Sequence, residues 1–242
     1  MAEFCIKIAG CTARVHSLFD STRDYCKHYL TDDTAQLDLS VTAEDLLFEQ
    51  AFLDREADEE GLRRRVFTDP FLERTAIQRK MAEHLLSRDV LLIHGSAVAV
   101  DGKGYLFTAK TGTGKSTHTR LWRQVFGQRA VMINDDKPFV QFTAAGIFLC
   151  GAPWSGKHGL DTNITVPLAG ICILEQGSEN IIEPFSPEDA KDFLIHQCQA
   201  PLDAANEPLF DRLTKQLLSA PLWRMRCTIS EEAPVIAHNA MK

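Results

Sequence analysis

The run Ala109-Lys110-Thr111-Gly112-Thr113-Gly114-Lys115-Ser116-Thr117 carries the most specific chemistry in the sequence. A GxxxxGK[S/T] loop that follows a strand and opens a helix binds a nucleoside triphosphate, and here Ala109 takes the place of the first glycine. Gly112 and Gly114 let the backbone turn so that consecutive N–H groups point into one concavity, which a β- or γ-phosphate can fill. Lys115 supplies a mobile positive charge to the phosphate oxygens, and Ser116 places a hydroxyl for magnesium. Thr111, Thr113 and Thr117 complete the nucleotide-binding run. A helix starting at Lys115 aims unsatisfied N–H groups and its positive dipole end at the same spot. ATP and Mg2+ are the cofactors this pattern implies.

A phosphate loop does not decide the fate of the γ-phosphate. Asp135-Asp136 ends the apolar run Val131-Met132-Ile133, which places two carboxylates at the end of a strand beyond the loop's helix. Two adjacent carboxylates permit a division of labour: one holds magnesium and the other accepts the proton of an attacking hydroxyl. His94 ends a second apolar run, Leu91-Leu92-Ile93, and is followed by Gly95; beside the loop it would act at the γ-phosphate.

The elements that must position these groups follow from periodicity and turn residues. Val90 to Val100 is predicted as one buried strand, Asp101-Gly102-Lys103-Gly104 as a tight turn and Tyr105 to Thr108 as the strand that delivers the loop. A helix from Lys115 to Phe126 and a strand from Ala130 to Asn134 come next. Two short strands are expected around 139–141 and 147–149, then a loop from Gly151 to Thr165 and a strand from Leu168 to Leu174. Helices at 187–197 and 208–218, a strand at 222–227 and a helix from Glu231 complete this part. Upstream, 3–15 and 36–42 read as strands, 17–30 as a helix, 56–65 as a connection and 70–86 as a helix. The expected division is a small N-terminal α+β lobe, residues 1–68, and a P-loop domain, residues 69–242.

Ile93-His94-Gly95, the loop AKTGTGKST and Ile133-Asn134-Asp135-Asp136, in that order, resemble the catalytic domain of the HPr serine kinase/phosphorylase family, in the fold group of phosphoenolpyruvate carboxykinase. The resemblance spans roughly residues 72–175. It implies an α/β fold with a mixed-sheet P-loop core, and a hairpin running into the loop suits that group better than the parallel βαβ surroundings of Ras-like or RecA-like proteins. By position, Lys115 and Ser116 would bind phosphates and magnesium, Asp135 would be the base, Asp136 would face the metal and His94 would assist. The family forms oligomers, so the resemblance allows a homo-oligomer.

The family's glycine-rich signature segment after the double aspartate, with its arginine and asparagine, is absent. Gly151-Ala152-Pro153-Trp154-Ser155-Gly156-Lys157-His158 stands in its place, with Asn163 nearby, as in shorter HPr-kinase-related proteins that act on peptides or small hydroxylated metabolites. Trp154 would wall a substrate, Lys157 would neutralise transferred phosphate and Asn163 would orient it, with His158 counted among the substrate-binding residues.

The remaining composition narrows the reading. Of 242 residues, 45% are hydrophobic, enough for one large core, and a formal charge of −7 argues against nucleic acid or an anionic membrane as partner. The basic run Arg63-Arg64-Arg65 behind the acidic stretch Asp54 to Glu60 reads as a solvated charged segment. No leader pattern and no window of about 18 apolar residues stands out, so a cytoplasmic protein is expected. Seven widely spaced cysteines suggest neither a zinc cage nor a disulfide framework. The sequence thus points to an ATP-dependent kinase acting on a hydroxyl of a small molecule or peptide. A nucleotide-dependent ATPase or switch that regulates a protein partner is the second reading. It is disfavoured because a switch needs no second carboxylate and because no NKxD guanine motif is present.

Overall fold

The computed structural model describes residues 2–59 and 61–242, so Glu60, the last residue of the acidic stretch, lies outside the described residues. Two compact units divide between residues 84 and 85, beyond the expected boundary at 68/69.

In the first unit β1 (Ala2–Ile8) and β2 (Cys11–Ser17) form an antiparallel hairpin. The sequence expectation of one strand over 3–15 missed its turn, where Ala9 and Gly10 both take positive φ. The expected helix over 17–30 contracts to α1 (Asp20–Tyr25) and a 3-10 turn, and β3 (Leu37–Ser40) adds parallel to β2. α2 (Ala43–Glu59) was not expected, and its last turns hold residues 54–59 of the acidic stretch. α3 (Asp69–Leu86) runs from one unit into the other. Its polar residues explain why most of it belongs with the first unit. Glu73 is fully buried and accepts from the Leu18 amide and the Thr22 hydroxyl. Arg79 donates to the buried Glu49 at 2.6 Å, and Lys80 donates to Asp45 at 2.7 Å. A helix so anchored cannot leave the lobe without stranding buried charge.

The second unit is a mixed α/β structure. In chain order it holds β4 (Val90–Leu92), β5 (Ser96–Val100), β6 (Lys103–Thr108), α4 (Lys115–Phe126), β7 (Ala130–Asn134), β8 (Phe139–Thr143), β9 (Gly146–Cys150), β10 (Thr165–Gln176), β11 (Ile181–Pro184), α5 (Pro187–Gln197), α6 (Glu207–Leu217), β12 (Leu222–Cys227) and α7 (Glu232–Met241). The sheet order is β4-β8-β9-β10-β6-β5-β7, with β12 also on β10 and β11 on β12. Twelve-residue β10 makes this possible: its first residues pair antiparallel with β9, and the rest lies parallel between β6 and β12. β5 and β6 meet at a two-residue turn in which Asp101 and Gly102 both have positive φ, the geometry a tight hairpin requires.

Both faces of the sheet are covered, which explains why its central strands read as unbroken apolar runs. Ala97, Ala99, Leu106, Ile171 and Ile173 face Leu194, Leu213 and Leu217 of α5 and α6. Their alternates Val98, Val100, Tyr105, Phe107, Cys172 and Leu174 face Trp122 of α4 and Ala233 and Ala237 of α7. All seven cysteines are free thiols, and burial pushes Cys150 up to about 11 and Cys198 up to about 12. Such thiols stay protonated and weakly nucleophilic near neutral pH. Among the described residues, no helix is long and apolar enough to cross a membrane.

His118 on α4 sets a pH limit on this core. Trp122 Nε1 donates to His118 Nε2 at 3.0 Å and Phe107 meets the ring edge-on, so the imidazole must be neutral; burial holds its pKa down to about 4. Unfolded histidine takes its proton near pH 6.5 and folded His118 only near 4. The stabilisation is therefore complete above 6.5 and falls, as pH drops towards 4, by about 1.4 kcal/mol per pH unit. In urea unfolding at pH 7, 6 and 5, His118→Gln is expected to lose stability on acidification less steeply than the parent. Equal slopes would contradict this assignment.

Candidate functional site

The glycine-rich loop 109–114 leaves the end of β6 and enters α4, as its sequence requires. Gly112 (φ 81°) and Gly114 (φ 113°) adopt the left-handed conformations that only glycine takes without strain, and a Cβ on Gly112 would meet open space. Gly114 is the N-cap of α4 and has no side chain with which to satisfy the first helical N–H groups. Ala109 has no need of glycine: it is absent from the positive-φ positions and packs, 1% exposed, in the cluster with Phe107 and Trp122. Lys115 curls back so that Nζ donates to Ala109 O at 3.1 Å. Burial, and then the Lys137 charge, draw its pKa below the usual lysine range, against the pull of Asp136 and Asp135.

The expected strand over 90–100 is interrupted at Ile93, His94 and Gly95, and this break delivers His94 to the site. Three backbone bonds stitch the break to the end of α5 and to the β7–β8 connection. His94 N–H bonds Gln197 O at 2.7 Å, Gly95 N–H bonds Asp136 O at 3.0 Å and Ile93 N–H bonds Pro138 O at 3.2 Å. Gly95 permits the close approach, since a Cβ there would lie 2.9 Å from Leu106 Cδ1 and 3.0 Å from Phe107 O. His94 Nε2 lies 3.4 Å from Asp136 Oδ1. Burial, then the charges of Lys137 and Lys115, hold the imidazole pKa near 3, so His94 is neutral and no ion pair forms.

The two aspartates have different surroundings. Asp135 is buried, and its Oδ1 accepts from Ser96 Oγ at 2.7 Å. With the Ser96 hydrogen given to Asp135, Ser96 Oγ accepts from Thr119 Oγ1 at 2.7 Å, and Thr119 lies in α4. Asp136 is more open, at 36% side-chain exposure. Its pKa is raised by burial and by Asp135, while Lys137 and Lys115 oppose the rise.

The loop from Gly151 packs along these residues. Asp135 N–H bonds Leu160 O at 3.1 Å and Thr162 N–H bonds Ile133 O at 3.1 Å. Gly151 is required for this register: a Cβ would sit 1.9 Å from Thr162 O. Gly151→Ala is therefore expected to cost roughly 3 kcal/mol and lower Tm by on the order of 10 °C, checked by thermal unfolding. An unchanged Tm would mean that the loop is not held this way. Lys157 and His158 are exposed on a 3-10 turn led by Gly156, whose Cβ position is 3.2 Å from Asp136 Cβ. Asn163 is exposed on the returning limb.

Trp154 differs from the sequence expectation. It is 5% exposed and packs edge-on to Phe139, so its ring fills core. Of the expected catalytic groups, Lys115, Asp135, Asp136 and His94 are brought together. Sequence reasoning missed Ser96, Thr119 and Lys137, whose roles depend on what the fold sets beside them. Among the described residues no group of three or more His, Cys, Asp or Glu could hold a metal ion. A cation here would take one or two protein oxygens and complete its shell with phosphate and water, the habit of magnesium.

No family model matches the chain, and no curated protein matches it. Among solved structures it is similar to the Hpr(Ser) kinase/phosphatase from Coxiella burnetii, with 13% identity over 62% of this chain and 95% of that one and a TM-score of 0.35.

Proposed function

We propose that the chain is an ATP-dependent phosphotransferase that phosphorylates a hydroxyl of a small molecule or peptide. One observation carries this reading: a glycine-capped helix N-terminus with its lysine, Lys115, lies in the field of two adjacent carboxylates. Such a site can both hold phosphates and take a proton. When bound, the magnesium–nucleotide complex would supply the phosphoryl group and neutralise charge on its oxygens. Gly112, Thr113, Gly114 and Lys115 would hold the phosphates, with Thr111 and Thr117 flanking them, and Ser116 would present its hydroxyl to the cation.

The bonding of the aspartates favours the reverse of the roles expected from the resemblance. Asp135 is tied through Ser96 and Thr119 to α4, the helix that carries Ser116, which favours placing it with Ser116 on the metal side. Asp136 has the freer carboxylate, beside neutral His94 and beneath the Gly156 turn. In this reading Asp136 accepts the hydroxyl proton and His94 holds its carboxylate in place. Lys157 and His158, exposed on the turn led by Gly156, would on this reading meet the acceptor. The test is ADP release by purified protein with MgATP, alone and with serine, threonine, polyols and serine peptides. Acceleration by one acceptor class is expected; release that no acceptor accelerates would defeat the kinase reading and leave an ATPase.

A further inference from the structure

Asn134 is fully buried and uses every hydrogen-bonding position of its amide. Nδ2 donates to Ala152 O at 2.7 Å and to Trp154 O at 3.2 Å. Oδ1 accepts from the Asp136 amide at 2.8 Å and from the Lys137 amide at 2.6 Å. One planar group therefore faces the double-aspartate turn with its oxygen and the 151–158 loop with its nitrogen. The flipped amide would set donors against two N–H groups and an acceptor against two carbonyls, so only one orientation works. Aspartate keeps the acceptor half alone. Alanine or leucine would take this partner from two buried carbonyls and two part-buried N–H groups.

We propose that Asn134 is a positioning residue that locks the Gly151–His158 loop to the double-aspartate turn, and that nucleotide occupancy tightens the loop through this amide. The second half rests on the nucleotide-binding reading above; the first does not. The same four bonds explain how Trp154 bears on the site although its ring is buried. Its carbonyl is held by Asn134, so the exposed Lys157 and His158 follow the aspartates as one body. Ser155 reinforces the loop by donating to Asp161 Oδ2 at 2.6 Å. Any shift of the double-aspartate turn when magnesium and nucleotide bind would pull the amides of residues 136 and 137, then Asn134, then the carbonyls of residues 152 and 154. The aspartate side and the acceptor side would respond together.

Hydrogen exchange by mass spectrometry on the full chain tests both halves, with the β10 core amides of residues 171–174 as the control for global folding. Without nucleotide, Asn134→Asp is expected to speed exchange of 152–158 by about tenfold or more, with the turn amides of residues 136 and 137 still protected. Asn134→Ala is expected to free both segments while the β10 core stays protected. Should the aspartate variant fold poorly, the alanine variant alone still decides. An unchanged loop, or acceleration spread evenly into β10, would overturn the positioning role. With MgATP, exchange of 152–158 is expected to slow in the parent. A variant that still gains thermal stability from MgATP is expected to show no such slowing. Equal slowing in parent and variant would overturn the coupling. Absence of any MgATP thermal shift in the parent would fault the nucleotide reading instead, with the nucleotide-free comparison still judging Asn134.

Discussion

Replacing Lys115 with alanine is expected to abolish the thermal stabilisation that MgATP confers while leaving the free protein as stable as the parent. At a nucleotide concentration about a hundredfold above Kd, one-site binding adds about 2.7 kcal/mol, or roughly 5–10 °C in Tm for a chain of this size. The ammonium is drawn into a partly desolvated position where a backbone carbonyl, Ala109 O, is its hydrogen-bond acceptor and burial pulls its pKa down. Removing it takes away an electrostatic cost of the unliganded fold together with a favourable interaction of the liganded one. The two effects are read separately by melting with and without MgATP. A retained shift of several degrees in Lys115→Ala would remove the loop from nucleotide binding. A collapse of the nucleotide-free Tm would make the lysine structural.

Asp136→Asn is expected to lower phosphoryl transfer by roughly a hundredfold to ten-thousandfold with the MgATP thermal shift intact, because a positioned base contributes about that much. Asparagine keeps the shape and the backbone bonds to Asn134 and Gly95 but cannot take a proton. Asp135→Asn is expected to behave differently. It alters the buried carboxylate that accepts from Ser96, so the magnesium requirement should rise and the nucleotide shift at low magnesium should fall. Magnesium titrations of the thermal shift, run beside transfer rates, separate the two. If Asp135→Asn loses transfer with an unchanged magnesium requirement while Asp136→Asn stays active, the roles are as the resemblance implied.

Much of the second unit was legible because its signals are local. Gly114 and Gly127 bracket α4, Pro187 opens α5 after a Ser186 cap, and the apolar run 131–133 marks β7. The failures have physical causes. The run from Val90 to Val100 is apolar on both faces, so no period reveals the break at His94; the break depends on Gln197, Asp136 and Pro138, far away in sequence. α2 escaped notice because Leu47 is 73% exposed and the buried members of its face include a glutamate, Glu49, paired with Arg79. Half-exposed β11 is an edge strand with little burial to mark it.

That Lys115, Asp135, Asp136 and His94 would lie near one another was legible from residue type and order. Trp154 misled because an aromatic beside glycine and proline looks like a substrate wall, and only packing against Phe139 shows otherwise. Asn134 was passed over as the residue before the aspartates. Its partners, the carbonyls of Ala152 and Trp154, lie in a loop whose course cannot be read from residue types.

The most direct measurement is the fate of the γ-phosphate, followed by phosphorus NMR of the protein with MgATP and the panel of serine, threonine, polyols and serine peptides. A phosphomonoester resonance on one acceptor, growing in step with ADP and absent with Asp136→Asn, is the expected result. ADP and inorganic phosphate alone, at the same rate with every acceptor, would contradict the assignment of this chain as a kinase.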